Sequence, residues 1–297
     1  MLSFLPPPVI GFIAWLLLAA STLTHFVVLF FPVLLKLIIP YKPSQVFFTK
    51  MAILIAESWI GFNNFWIRLT QKADWDVQGL EGLSKNGWYL VTSNHQSWVD
   101  IFVLQNIFNR RIPMLKFFLK QELIWVPIMG LAWWGLDFPF MKRYSKEYLA
   151  KHPEMRGKDL ETTRKACEKF QHTPVSVMNF VEGTRFTPAK HERQGSPYQH
   201  LLKPRPGGTA FVIDAMGHCI DTLVDVTIDY PGGIPTFSDF MCGRVRKIVV
   251  RVNTVKIPEQ LFEGDFSEDA SHRDKVKVWL DELWENKDKQ LVTLKQQ

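Results

Sequence analysis

The chain has 297 residues, 47% of them hydrophobic, and 35 Lys and Arg against 29 Asp and Glu, a net charge of +6. Mean hydropathy is near zero, which excludes a multi-span carrier built from repeated runs of about 20 apolar residues and fits a globular domain tethered to a membrane. The positive balance favours anionic lipid surfaces and phosphate-bearing ligands, and three cysteines without C-x-x-C spacing (Cys167, Cys219, Cys242) indicate neither a zinc site nor a disulfide framework.

From Val9 to Ile39 the only charge is Lys36. The run exceeds the ~20 residues an apolar helix needs to cross a bilayer core. It is too long for the h-region of a signal peptide, and no basic n-region precedes it. Lys36, Lys42 and Lys50 follow it, so the positive-inside bias places what comes next on the cytoplasmic side. A second apolar segment, Val46 to Leu69, contains Lys50, Glu57 and Arg68. Those charges make a span expensive, so an interfacial amphipathic helix is expected. Pro40 to Ser44 would be the turn between the two. A full crossing and a hairpin dipping into one leaflet both satisfy the pattern. Residues 1–69 are thus expected to form an N-terminal membrane anchor.

Strand signals follow at Trp88–Ser93, Ile112–Phe117, Leu136–Met141, Val175–Val181, Thr222–Ile228 and Lys247–Ile257. Helical patterns occupy Ser97–Phe108, Gln121–Trp134, Lys158–Gln171, Gly208–Met216 and Ser271–Lys295. The alternation predicts an α/β fold, a mixed sheet flanked by helices, over residues 70–260. Residues 261–297 would be a C-terminal amphipathic helix packed on it through Trp279, Leu280, Leu283 and Trp284. Lys247 to Lys256 alternates basic and apolar residues, as a solvated edge strand does. Pro188 to Pro206 is polar, basic and proline-punctuated, a loop expected either to be mobile or to cover the site.

Two short stretches carry chemistry. Asn94-His95-Gln96-Ser97-Trp98-Val99-Asp100 places an acid five residues after a histidine. With His95 at a strand end and a helix opening at Ser97, Asp100 falls back beneath the imidazole. It would fix the tautomer that leaves one ring nitrogen free to take an alcohol proton. Ser97 suits the N-cap, and Asp100 the first turn. Phe180-Val181-Glu182-Gly183-Thr184-Arg185 offers a glycine turn with a carboxylate, a hydroxyl and a guanidinium suited to phosphate. Either stretch alone is a weak signal. Both follow apolar strand-like runs, at the end where open α/β sheets place their sites. A metal-dependent hydrolase would need further imidazoles from His191, His200 or His218, and none lies at a helical ligand spacing. A serine lipase would need a G-x-S-x-G elbow, which is absent. A non-catalytic scaffold binding anionic lipids explains the anchor and the charge but leaves His95 and Asp100 without a task.

These blocks resemble the 1-acylglycerol-phosphate (lysophosphatidic acid) acyltransferase family of glycerolipid acyltransferases. The likeness covers N-H-x4-D at Asn94 to Asp100, a K-x-E-L…P…G run at Lys120 to Leu123 with Pro127 and Gly130, an aromatic-basic block at Phe138 to Arg143, and F-x-E-G-T-R at Phe180 to Arg185. Phe186 to His191 and Leu201 to Gly208 resemble the branch containing lysocardiolipin and animal-type enzymes. Where many members read V-P-V, this chain has Val224-Asp225-Val226. The resemblance implies an O-acyltransferase in which His95 and Asp100 are catalytic and Glu182, Gly183, Thr184, Arg185, Arg143 and Lys120 bind substrate. The acceptor would be a lysophospholipid, most simply 1-acylglycerol 3-phosphate giving phosphatidic acid, with lysophosphatidylglycerol and lysocardiolipin as alternatives. Acyl-CoA or acyl-carrier protein would be the donor, and neither a metal, a further cofactor nor nucleic acid is implied. Membrane lipids would surround the anchor. A tail without further spans points to a bacterial inner membrane, with the domain facing the cytoplasm.

Overall fold

The computed structural model describes residues 2, 4–127, 129–141, 170, 173–217, 219–264 and 269–296. Two long helices come first, α1 (Pro7–Ile38) and α2 (Lys42–Thr70), each with proline in its opening turn, where the missing N–H costs nothing. A three-residue connection makes them an antiparallel hairpin. Both are long and apolar enough to cross a membrane by length and composition. At 1.5 Å per residue, α1 would span about 48 Å. One face of α1 nevertheless lies on the rest of the protein at both ends. Near its start, Gly11 packs so tightly on Cys242 that a Cβ would come within 2.6 Å of Sγ, and Trp15 meets Phe237 edge-on at 5.4 Å. Near its end, Val33 fills the space above Gly135. There Lys36 Nζ reaches Asp137 Oδ2 at 2.7 Å and the Gly135 carbonyl at 3.2 Å, and Thr49 of α2 joins Asp137 at 3.1 Å. Phe12, Leu16, Leu23, Phe31 and Leu37 are exposed on the opposite side. The charge within α2 has a local explanation: Glu57 is buried and pairs with Lys85 at 3.1 Å.

The main sheet has six strands, β1 (Asp74–Gln78), β2 (Tyr89–Ser93), β3 (Leu115–Phe117), β6 (Ser176–Phe180), β7 (Thr222–Asp229) and β8 (Lys247–Lys256), in the order β1-β8-β7-β2-β6-β3. Only the β7–β8 pair is antiparallel, so the sheet is mixed, as expected. All five residues of β2 are buried, because both faces of a central strand are covered. From β2 the chain goes out to β3, returns between them as β6, and then crosses to the other side of β2 as β7. The order therefore reverses around β2, which is where open sheets form a crevice.

Several expectations need correction. Only the second half of Lys247 to Lys256 is an edge. Lys247 to Arg251 lie between β1 and β7, where Asp76 neutralises Arg251 across the pairing, with nitrogen–oxygen distances of 2.8 and 3.0 Å. Along that first half the edge is β1, a polar-apolar alternation too short to stand out in the sequence. The strand expected at Ile112–Phe117 starts only at Leu115, after the donor-less Pro113. The helix expected at Gln121–Trp134 is a 3-10 turn (Gln121–Trp125) followed by α4 (Met129–Gly135). Pro127 holds Val126 extended and breaks the run. The strand expected at Leu136–Met141 shrinks to β5 (Phe140–Met141), paired with β4 (Leu119–Lys120) in a separate ribbon, since Asp137 turns with φ +60°. The loop expected at Pro188–Pro206 contains a helix, α5 (Pro188–Gln194), capped by Thr187 and closed by left-handed Gly195. The helix expected at Lys158–Gln171 lies outside the described residues except for Phe170, which is buried.

The two sheet faces have separate cores. On one, Val91, Met178, Val224, Val226 and Ile228 pack with α3 (Val99–Phe108), α7 (Phe237–Met241) and the hairpin. On the other, Leu90, Val177 and Leu223 pack with α6 (Pro206–Met216) and α8 (Ala270–Lys295) through Leu280, Trp284 and Leu291. The expected packing face of α8 is therefore present. Two charged matches add to it: Lys287 on Asp225 at 2.9 Å and Lys295 on Asp229 at 2.7 Å. Eight residues of helix advance about 12 Å and four of strand about 13 Å, so α8 stays in step with β7.

Candidate active site

The register explains why the two sequence blocks meet. Ser93, the last residue of β2, pairs with Phe180, the last of β6. His95 and Glu182 each lie two residues beyond those paired ends, and His95 N–H donates to Glu182 Oε1 at 3.3 Å. The His95 carbonyl accepts from Phe186 N–H at 2.7 Å, tying the same loops a second time. Asn94 anchors the turn to the other neighbour of β2. Its side chain both donates to and accepts from the Ile228 backbone at 2.9 Å.

His95 Nδ1 lies 2.8 Å from Asp100 Oδ2. That oxygen also accepts from Gln96 N–H at 2.6 Å and Ser97 N–H at 2.8 Å, while Oδ1 accepts from the Tyr230 hydroxyl at 2.6 Å. Four donors thus converge on one fully buried carboxyl group, which can only accept when deprotonated. Burial first, and then the neighbouring Asp100 charge, push the Tyr230 phenol well above its usual range. Tyr230 therefore keeps its proton and donates. The imidazole stacks on Phe180, centroids 3.8 Å apart. With Nδ1 turned toward Asp100, Nε2 is left for a substrate. The N-cap of α3 is Trp98 and not Ser97; Ser97 stands one residue earlier, where its hydroxyl accepts from Val99 N–H at 3.2 Å and donates to the Pro235 carbonyl at 2.6 Å.

Glu182, expected both to shape this turn and to touch the acceptor, is hydrogen-bonded to the loops on either side of it. It is fully buried, and its second oxygen accepts from Leu202 N–H at 3.2 Å. Both oxygens therefore brace loops and face no cleft. Burial pushes its pKa up to about 8, against the lowering effect of the two N–H donors and of Lys287. Gly183 has φ +67°, a conformation that favours glycine, and its open side is filled by Arg205, whose Cδ would meet a Cβ at 3.1 Å. Thr184 Oγ1 accepts from Lys190 Nζ at 2.7 Å, and that ammonium also holds the Arg185 carbonyl at 2.9 Å.

Arg185 is exposed, its guanidinium 4.9 Å above the Trp98 ring. Trp98 and His95 line one cavity of about 630 Å³, within the usual range for a ligand pocket. Phe180 and Phe117 continue its wall, and α1 and α2 close it with Phe26, Leu29, Trp59 and Ile60. Arg185 is not among the residues that line this cavity; it adjoins it through its contact with Trp98. Lys120 is exposed on β4, in the separate ribbon. Arg143 lies outside the described residues. Sequence reasoning missed Tyr230, whose distance in the chain from Asp100 hides the contact. Its only signal is an aromatic residue before Pro231-Gly232-Gly233, where β7 ends.

A family model described as Acyltransferase matches residues 74–230. The chain is similar to 1-acyl-sn-glycerol-3-phosphate acyltransferase epsilon of Mus musculus, 26% identical over 225 residues, covering 67% of this chain and 56% of the relative. It is likewise similar to 1-acyl-sn-glycerol-3-phosphate acyltransferase 3 of Arabidopsis thaliana (26% over 251 residues, 76% and 61%) and lysocardiolipin acyltransferase 1 of Mus musculus (26% over 217 residues, 68% and 53%). The chain thus spans little more than half the length of these curated relatives. Its fold resembles the crystal structure of the 1-acyl-sn-glycerophosphate (LPA) acyltransferase PlsC from Thermotoga maritima, with TM-score 0.50, 16% identity, and coverage of 93% of this chain and 97% of that one.

Proposed function

The chain belongs to the acyltransferase family, and from that premise we propose that it moves a fatty acyl group from a thioester donor to the free hydroxyl of a lysophospholipid at a membrane surface. The acceptor that fits best is 1-acylglycerol 3-phosphate, giving phosphatidic acid. One observation carries the reading: an Asp100-oriented imidazole lines an apolar cavity, and a guanidinium lies on Trp98, another of its lining residues. His95 Nε2 takes the proton of the alcohol as its oxygen attacks the thioester carbon. The C–S bond then breaks, and the imidazolium returns the proton to the thiolate or to solvent. The cavity accommodates an acyl chain, and Arg185 holds the acceptor phosphate. Acyl-CoA and acyl-carrier protein both satisfy this scheme as donors. The exposed apolar side of α1 lies among lipid, and Lys36, Lys42 and Lys50 favour the cytoplasmic side.

The test is purified protein with a panel of lysophospholipids, lysophosphatidylglycerol and lysocardiolipin included, and labelled acyl-CoA or acyl-carrier protein. Mass spectrometry of the products reads the result. Absence of any acylated product across the panel would refute the proposal. Arg185→Ala removes a charge-assisted contact of about 1.5–3 kcal/mol, so the apparent KM for a phosphate-bearing acceptor should rise roughly 10- to 100-fold. An equal loss with acceptors lacking phosphate would remove Arg185 from that role.

A further inference from the structure

The segment between β4 and β5 has two sides, and the proposed reaction uses only one. Leu123, Met129, Ala132 and Trp133 line the cavity that also holds His95. Trp125, Val126 and Leu131 of the same segment are exposed, Trp125 to 84%, the greatest exposure of any large apolar side chain among the described residues. From Leu123 to Met129 the sequence has no polar residue. Trp125 closes the 3-10 turn Gln121–Trp125, of which no residue is buried. The turn is nevertheless firmly built. Gly130 lies so close beneath it that a Cβ would come within 2.0 Å of the Ile124 carbonyl oxygen. Gly130 N–H donates to the Val126 carbonyl at 2.8 Å, and Val126 N–H to the Leu123 carbonyl at 3.1 Å. The indole is thus held outward by a folded turn whose inner side belongs to the site.

Single exposed apolar residues are ordinary, but a contiguous patch marks an interaction surface. This one continues the apolar flank of the hairpin. The turn rests on α4 through Gly130, α4 rests on α1 where Gly135 meets Val33, and Lys36 Nζ lies 6.0 Å from the Trp134 ring. Just beyond that contact, Leu37, Ile38, Tyr41 and Phe47 of the hairpin are exposed, with the exposed Lys42 and Lys50 among them. Apolar side chains edged with tryptophan, tyrosine and lysine are the composition found where a bilayer meets water. The indole suits that boundary because its body is apolar and its N–H is polar. Gln121 and Glu122, exposed at the start of the turn, set the depth: charged and amide groups stay with the headgroups while the apolar tip sinks about 5–10 Å.

We propose that the turn carrying Trp125 is a second membrane contact, distant in sequence from the hairpin, which enters the headgroup layer of a phospholipid bilayer through Trp125 and Val126. The inference rests on the placement of the hairpin in lipid proposed above. A helical hairpin lying in a surface is free to roll about its long axis, and a second contact beside it stops the roll. Lipid then lies against two walls of the cavity, the hairpin with Phe26 and Leu29 and the turn with Leu123 and Met129.

The test uses the full chain, wild type and Trp125→Phe, in vesicles of phosphatidylcholine and phosphatidylglycerol. Trp125 is one of 11 tryptophans, so the emission of wild type minus that of the variant isolates it. Circular dichroism should show the same fold for both, since the indole makes few contacts at that exposure. Vesicle flotation is read first. The difference emission should then lose most of its intensity when the vesicle lipids carry bromine on the acyl chain close to the headgroup, and it should resist quenching by acrylamide in the water. Emission open to acrylamide and indifferent to brominated lipid would place the turn in water and overturn the proposal. Shielding from acrylamide without quenching by brominated lipid would mean that protein covers the turn, a second copy of this chain included, and would also overturn it. Either of those results from wild type that floats leaves the placement of the hairpin standing. Wild type that does not float refutes that placement, and the second contact falls with it. Neither measurement depends on acyl transfer.

Discussion

On the proposed function, His95→Ala should lower acyl transfer by roughly 10²–10⁴-fold, the range contributed by a positioned general base, while the protein should still fold and still associate with lipid. The side chain makes two principal contacts, the Asp100 carboxylate and the face of Phe180. The backbone bonds of residue 95 to Glu182 and Phe186 survive the substitution. Initial rates with 1-acylglycerol 3-phosphate, circular dichroism and vesicle flotation measure the three quantities separately. Unchanged turnover would favour the non-catalytic lipid-binding scaffold. Asp100 is a poorer probe, because its removal strands the Gln96 and Ser97 N–H groups and the Tyr230 hydroxyl at a buried position. Each such orphan costs about 1–3 kcal/mol, so loss of activity there would mix chemistry with unfolding.

Deleting residues 1–70 should yield aggregate and not a soluble enzyme. A detachable anchor would leave an intact domain behind, but this hairpin supplies part of the core. Trp66 and Ile67 are buried, and Trp66 meets Phe102 and Phe240 at 6.3 and 6.2 Å. Ala14 of α1 belongs to the same cluster. Truncating one such large side chain costs about 3–5 kcal/mol, against a total stability of roughly 5–15 kcal/mol, and the deletion removes many at once. It also opens the wall of the cavity beside His95. Soluble expression followed by size-exclusion chromatography and thermal unfolding checks this. A monomeric, active truncation would overturn it.

The His95–Asp100 contact was legible because it is local. His95 and Asp100 are five residues apart, and a strand end running into a helix suffices to bring them together. The meeting of the two blocks was legible only as far as both follow strands; the Ser93–Phe180 register that aligns them is a long-range fact. Short-range patterns misled where neighbours decide. The basic alternation of Lys247 to Lys256 has the look of an edge throughout, but β1 covers its first half, where Asp76 neutralises Arg251 from outside. Glu182 has the look of a substrate ligand because a motif gives residue order and not burial. Its true partners, the N–H groups of His95 and Leu202, are backbone atoms that no motif records. Asp225 was visible as a departure, but its counter-charge Lys287 belongs to a helix whose sequence shows chiefly its apolar stripe.

Because α1 rests on the protein near Gly11 and again near Lys36, the hairpin lies along the domain and cannot stand upright beneath it. On the proposed function, the opening beside His95 is then level with the lipid into which the apolar flank sinks, and acceptors arrive sideways without passing through water. Turnover should accordingly follow the mole fraction of lysophospholipid in mixed micelles or vesicles, and diluting the acceptor with inert lipid at fixed bulk concentration should slow the reaction in proportion.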